Sequence, residues 1–276
     1  MEQLQLEQQF YPINDDFTIK WEELNNLLSS NTKAIMMVHF FGQPQDINRY
    51  LSFCKKNNLY LIEDNSHGYG GNVNNQELGT FGDIGISSPR KIININSGGI
   101  LWVKNGLLNY PKHVIKYPIT IKKRLKEKIS NINSKYKYFL IKKIKSRPKY
   151  EDPNAFRESI IKDYSIDDFS YQRIKTLDID KIRLYRQDEY KKLENFAIKN
   201  NLKPVINKLH RSACPWFFPA YSKDSIEAMK WFKWGWENNQ LVFSWPSLPQ
   251  KVIIKNGESL KRWQRLICFG IKIGSE

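Results

Sequence analysis

The chain has 276 residues, 41% of them hydrophobic, with 8 Trp, 14 Tyr and 15 Phe; this excludes a disordered chain and leaves room for one large core or two small ones. No apolar run reaches the roughly 20 residues of a membrane span, and the opening MEQLQLEQQF lacks the basic head and apolar centre of a secretory leader. The net charge of +16 is local, since residues 112–149 hold 12 Lys and 2 Arg against a single acid, Glu127, leaving about +3 for everything else.

In chain order, WEELNNLLSS (21–30) reads as a helix. KAIMMVHFF (33–41) and LYLIEDNS (59–66) read as apolar strands. Between them INRYLSFCKKNN sets Ile47, Tyr50, Leu51 and Cys54 on one helical face. Strand, helix, strand is the βαβ unit of a parallel sheet. DIGISS (83–88) and GGILWVKN (98–105) read as two further strands. Ile121, Leu125, Ile129, Ile132, Tyr136 and Phe139 then step by three or four, an amphipathic helix within the basic segment. SRPKYEDPN (146–154) reads as a linker. Residues 169–200 read as helical with a kink near Asp178, LHRSACPWFFPAY and LVFSWPSLP as strands of a smaller α+β unit, and 259–268 as a final helix. Cys54, Cys214 and Cys268 form neither a metal spacing nor a disulfide framework, and no metal site is expected. Free thiols suit a reducing cytoplasm.

Two stretches carry chemistry. In IEDNSHGYGG, Asp64 ends an apolar strand and His67 follows three residues on. In open α/β sheets ligands gather at the carboxyl ends of the strands. There an acid suits a protonated pyridine nitrogen, and it serves equally well as a cap for the next element. In SSPRKIININSGG, Lys91 follows the hydroxyls of Ser87 and Ser88 and precedes the Gly98–Gly99 pair. A lysine that condenses with a carbonyl needs a fixed backbone and a neighbouring phosphate site; a solvated surface lysine needs neither.

Taken together, VHFFGQPQDI, IEDNSHGYGG and LGTFGDIGISSPRKIININSGGILWV resemble the DegT/DnrJ/EryC1/StrS family of pyridoxal-phosphate sugar aminotransferases. His-x-x-Gly-Gln falls on His39, Gly42 and Gln43. Glu-Asp-x-x-(Gln/His) falls on Glu63, Asp64 and His67, and the Gly-Asp pair on Gly82 and Asp83. Ser-x-Arg-Lys before a Gly-Gly turn, carried by one branch, falls on Ser88, Arg90, Lys91, Gly98 and Gly99. RLYRQDEYKKL resembles the family's Arg-x-x-Asn-Tyr-x-x-Leu helix, with Glu189 for Asn, and WFFPA and SWPSLP resemble its small domain.

The resemblance implies an α/β, fold-type I aminotransferase-like architecture: a mostly parallel central sheet, incomplete at its N-terminal part, and a smaller α+β C-terminal domain, divided as 1–150 and 151–276. It implies pyridoxal phosphate as cofactor. Lys91 would be its covalent anchor and proton shuttle, Asp64 the partner of the ring nitrogen, His67 a neighbour of the ring and Ser88 a phosphate ligand. The reaction would move an amino group, typically from glutamate, onto a keto-sugar nucleotide for surface glycans. Against the family pattern, the segment that cradles the cofactor phosphate and stacks an aromatic on its ring is expected to be missing before residue 10, and Ser97 replaces an acid. A gene fragment, a non-catalytic descendant and an enzyme completed by a homodimer mate or complementing subunit all fit that pattern. The alternative function is a partner- or membrane-surface-binding protein on this scaffold, peripheral on anionic membrane through the basic helix. No nucleic-acid partner is expected, since no binding module is visible.

Overall fold

The computed structural model describes residues 6–107, 165–245 and 247–271. The basic segment, its amphipathic pattern and the 146–154 linker lie outside the described residues.

The first sheet has the order β1-β2-β5-β6, from Ala34–Val38, Tyr60–Asn65, Ile84–Ser87 and Ile100–Val103; β3 (Asn72–Val73) and β4 (Gln76–Glu77) form a small separate hairpin. β1, β2 and β5 run parallel and β6 antiparallel to β5. Crossing from β1 to β2 is helix α2 (Ile47–Asn57), capped by Asp46, whose side chain accepts the Arg49 amide, and stopped by Asn58 in the left-handed region. Ile47, Tyr50 and Cys54 are buried against Ile35, Met37 and Leu61 of the sheet, while Leu51 from the expected face is exposed. A fully buried side chain of this size contributes roughly 1.5–3 kcal/mol, so this stripe holds the βαβ unit together. The helix expected at 21–30 is shorter: α1 (Trp21–Leu24) passes into a 3-10 turn over Asn25–Leu27.

Alternation along β2 assigns its residues to two faces. Leu61, Glu63 and Asn65 are buried; Ile62 and Asp64 are half-buried on the other face. Register places Asp64 between Val38 and Ile86. Ser88 lies just beyond the end of β5, whereas Ser87, opposite Asn65, turns to the buried face and accepts a hydrogen bond from Asn65 Nδ2.

The second sheet, order β7-β8-β10-β9, is antiparallel and built from Lys203–Pro204, Phe217–Tyr221, Leu266–Gly270 and Val242–Ser244. Both inner strands, β8 and β10, are buried throughout. Phe218, Ala220, Ile267 and Phe269 face helices α4 (Ile179–Lys199) and α5 (Ser225–Glu237). Phe217, Tyr221, Leu266 and Cys268 face the first lobe through Phe17 and Phe41. The segment expected as a helix over 259–268 is therefore corrected. Helix α7 (Glu258–Arg265) follows the short α6 (Gln250–Ile254) and ends at Arg265, where the chain becomes β10, because two apolar faces must be filled at once. The kink expected near Asp178 is a full break between α3 (Asp168–Thr176) and α4, with Asp178 capping α4 through the Lys181 amide.

The lobes meet at Phe40–Gly42, a 3-10 turn in which Phe41 has φ 61° and Gly42 φ 86°. A Cβ at Gly42 would stand 2.5 Å from the Cys214 carbonyl oxygen and 2.8 Å from that of His67. Gly42→Ala therefore meets both a left-handed backbone and two backbone atoms that cannot step aside. We expect a loss of about 2–4 kcal/mol in urea unfolding, against under about 1 kcal/mol for a glycine in open space.

Candidate active site

The residues at the carboxyl end of the parallel strands divide into a scaffold and a reactive group. Scaffold comes first. His39 Nδ1 accepts the Gln45 amide, so its Nε2 carries the proton and donates to Glu63 Oε1 at 2.9 Å. Glu63 also accepts the amides of Gly79 (2.6 Å), Phe81 (2.6 Å) and Gly82 (3.0 Å). Burial pushes this carboxyl up, but the hydrogen bonds from His39, Gly79 and Gly82 outweigh burial and hold it below its ordinary value. The His39–Glu63 pair thus stitches β1, β2 and the 79–82 loop together and presents nothing to a ligand. Gln43 bridges the lobes, with Oε1 accepting the His210 amide at 2.9 Å and Nε2 donating to the Lys208 carbonyl.

Helix α4 fixes the other side. Arg186, 1% exposed, donates from Nε to the Pro215 carbonyl (2.7 Å) and from Nη2 to the Trp216 carbonyl (2.6 Å). Gln187 donates to the carbonyls of Arg211 and Ala213, and Arg183 to that of Gly70. The Trp216 amide donates to the Phe41 carbonyl. The 213–216 loop is therefore held on both flanks, and Cys214 within it is a buried thiol pushed up to about 11 by burial.

Against that loop stand two predicted site residues. Lys91 ends a 3-10 turn over Pro89–Lys91 just beyond β5, and the next residues, Ile92 and Ile93, are buried with Cys214. Lys91 Nζ lies 4.6 Å from the centre of the Trp216 ring, within cation–π range. The His67 ring lies 4.9 Å from Trp216 at 36° and 5.3 Å from Trp245 at 74°. His67 Nδ1 accepts the Phe41 amide at 3.3 Å, so Nε2 bears the proton. Burial, aided by the Lys91 charge, pushes its pKa down to about 3, so the ring is a neutral donor. Asp64 sits on β2 three residues before His67, and its Oδ1 accepts the Ser66 amide. Ser88 opens the turn that ends in Lys91. The Ser88 carbonyl accepts the Lys91 amide at 3.1 Å, which ties the start of the turn to its end. Among the described residues, no three or more His, Cys, Asp or Glu stand together as a metal site.

Trp216 is the site residue that sequence reasoning missed. WFFPA was visible as a strand; that its first residue leaves the strand and turns toward Lys91 was not, because the cause is the grip of Arg186 from α4.

The DegT/DnrJ/EryC1/StrS aminotransferase family matches residues 3–137. A GDP-perosamine synthase of Vibrio cholerae is 35% identical over 89 residues, 32% of this chain and 24% of that protein. A UDP-N-acetyl-3-dehydro-alpha-D-glucosamine 3-aminotransferase of Acidithiobacillus ferrooxidans is 36% identical over 72 residues, 26% of this chain and 20% of that one. Each match thus spans a quarter or less of the relative's length. Among solved structures, Helicobacter pylori PseC, an aminotransferase of pseudaminic acid biosynthesis, superposes with TM-score 0.62 at 15% identity over 98% of this chain and 69% of that one. An Escherichia coli GDP-4-keto-6-deoxy-D-mannose-3-dehydratase with bound hydrated PLP gives 0.56 at 15% identity over 95% and 69%. These likenesses establish the fold-type I architecture.

Proposed function

With residues 3–137 belonging to the DegT/DnrJ/EryC1/StrS aminotransferase family, we propose that this chain serves a pyridoxal-phosphate sugar aminotransferase, moving an amino group from glutamate to a keto-sugar nucleotide in surface-glycan biosynthesis. One observation carries the reading: a lysine amine held over an aromatic face beside a buried neutral histidine, at the carboxyl edge of a parallel sheet. The same fold also houses a dehydratase, so it is Lys91, rather than the architecture, that favours amino transfer.

The donor set suits the cofactor. Pyridoxal phosphate, when bound, supplies an aldehyde and an electron-withdrawing ring. Lys91 Nζ is the amine for the aldehyde and the group that takes and returns the proton. Asp64 offers a half-buried carboxylate for a protonated ring nitrogen. His67 Nε2 offers an N–H for a ring oxygen, and because the imidazole stays neutral it does not compete with Lys91 for protons. Ser88 offers a hydroxyl for phosphate at the start of the turn that ends in Lys91.

A homodimer mate or a complementing subunit belongs to the same proposal, supported by Leu101, 51% exposed on β6 and paired with Ile86. Three buried free cysteines support a cytoplasmic setting. The membrane-surface alternative is not favoured, because the matched relatives are sugar-nucleotide aminotransferases.

The test is borohydride trapping of pyridoxal phosphate on the purified chain, with the modified peptide located by mass. We expect the adduct on Lys91 in preference to the surface lysines. Uniform labelling of many lysines would remove the support for the reading.

A further inference from the structure

Six residues past Lys91, a carboxylate meets the chain from the far side of the second sequence half. Asp167 is 5% exposed and caps α3. Its Oδ2 accepts the hydroxyls of Ser97 and Ser170, its Oδ1 accepts the Ser170 amide at 3.0 Å, and its own amide donates to Ser97 Oγ at 3.1 Å. Ser170 Oγ in turn accepts the amides of Asn96 (2.9 Å) and Ser97 (3.3 Å). Burial pushes the Asp167 carboxyl up, but the hydrogen bonds from Ser97, Ser170 and Asn96 hold it below its ordinary value.

Packing closes the same joint. Gly98 has φ 102°, and a Cβ there would stand 2.6 Å from Ile166 Cδ1. At the other end of the loop, Ile92 and Ile93 pack with Ile174 and Leu177, from α3 and the residue after it. α3 therefore grips the return from Lys91 at both ends, by apolar contact behind the lysine and by the carboxylate network at Ser97. Sequence reading marks Ser97 as the loss of an acid; the structure shows a carboxylate delivered to that place from residue 167.

We propose that Asp167 is a positioning residue for Lys91: through Ser97 it fixes the 92–97 return, and so the turn on which the reactive amine is carried. This rests on the reading of Lys91 given above. A neutral amide at 167 would place two donor hydrogens where the network needs acceptors, so shape alone does not replace the charge.

Ser97→Ala removes the contact on the Lys91 side while Asp167 continues to cap α3 through Ser170, so this variant is expected to fold. Lys91 labelling by pyridoxal phosphate and borohydride should slow by about tenfold or more, with surface lysines labelled as before and the 92–98 amides exchanging faster. Asp167→Asn should do the same. The double change Ser97→Asp with Asp167→Ser, which returns the carboxylate to the loop, should restore the Lys91 rate to within about threefold. A folded Ser97→Ala protein that labels Lys91 at the wild-type rate overturns the proposal. Wild-type protein that takes no pyridoxal phosphate at Lys91 overturns the functional reading alone. The positioning role is then decided by reductive methylation of Lys91 with formaldehyde on the same variants, an unchanged rate in Ser97→Ala again overturning it.

Discussion

Lys91→Ala is expected to lower amino transfer from glutamate to a nucleotide keto-sugar by about 10³-fold or more, while the thermal midpoint moves by no more than about 2 °C. The two expectations have separate causes. The Lys91 amine lies over Trp216, and the neighbouring Ile92 and Ile93 are buried in the core beneath the turn. Deleting the side chain therefore leaves the burial that holds the loop and removes the amine proposed to bond to the aldehyde and carry the proton. Lys91→Arg should not restore the rate, because a guanidinium keeps the charge against Trp216 but neither attacks a carbonyl nor gives up a proton near neutral pH. Kinetics on both variants beside melting curves check this. A Lys91→Ala protein with more than about a tenth of wild-type turnover would assign the chemistry to another amine.

The parts of this molecule that were legible in sequence are those governed by local periodicity. Ile47, Tyr50 and Cys54 recur at helical spacing because one face of α2 meets β1 and β2, and that pattern survives without knowledge of the partner. The placing of Asp64, His67 and Lys91 at strand ends was legible from the apolar runs that precede them. What failed was decided at long range. Leu266–Gly270 follows a helical pattern into a strand, since its place between β8 and β9 buries both faces. Ser225–Glu237 drew no assignment, although Trp231 and Trp234 at a three-residue step line the helix against Phe196 and Phe269. Trp216 and Asp167 act on the Lys91 loop across 125 and 76 positions of chain, and no spacing rule reaches that far. His39, Gly42, Gln43 and Glu63, which carry the family resemblance in sequence, are joinery in the fold.

That joinery makes an acid response the second large effect. His67 is depressed to about 3 in the folded protein by burial and by Lys91, against about 6.5 for a free imidazole. Between those values the unfolded chain binds a proton that the folded chain refuses, so stability falls as pH falls from about 6.5, by up to about 1.4 kcal/mol per unit from this group alone. His210, depressed in the same direction by partial burial and Arg211, adds a smaller slope of the same sign. Glu63 acts later. Its folded pKa lies below the unfolded value of about 4.3, so its contribution is complete above that value and is lost as pH drops through the folded pKa. Urea unfolding at intervals from pH 7 to pH 4 should therefore show a steady decline that begins well above the carboxylate range. His67→Gln, which keeps a polar side chain beside the Phe41 amide without a titrating ring, should remove most of the decline between pH 6.5 and 5 even if it lowers stability at pH 7. Glu63→Gln should lower stability at pH 7 by about 3 kcal/mol or more, since it sets an amide donor against the amides of the 79–82 loop, and should leave the slope above pH 5 in place. A wild-type protein whose stability is flat from pH 7 to 5 would place the His67 ring in water instead of beneath Trp216, and with it would go the neutral donor assigned to this site.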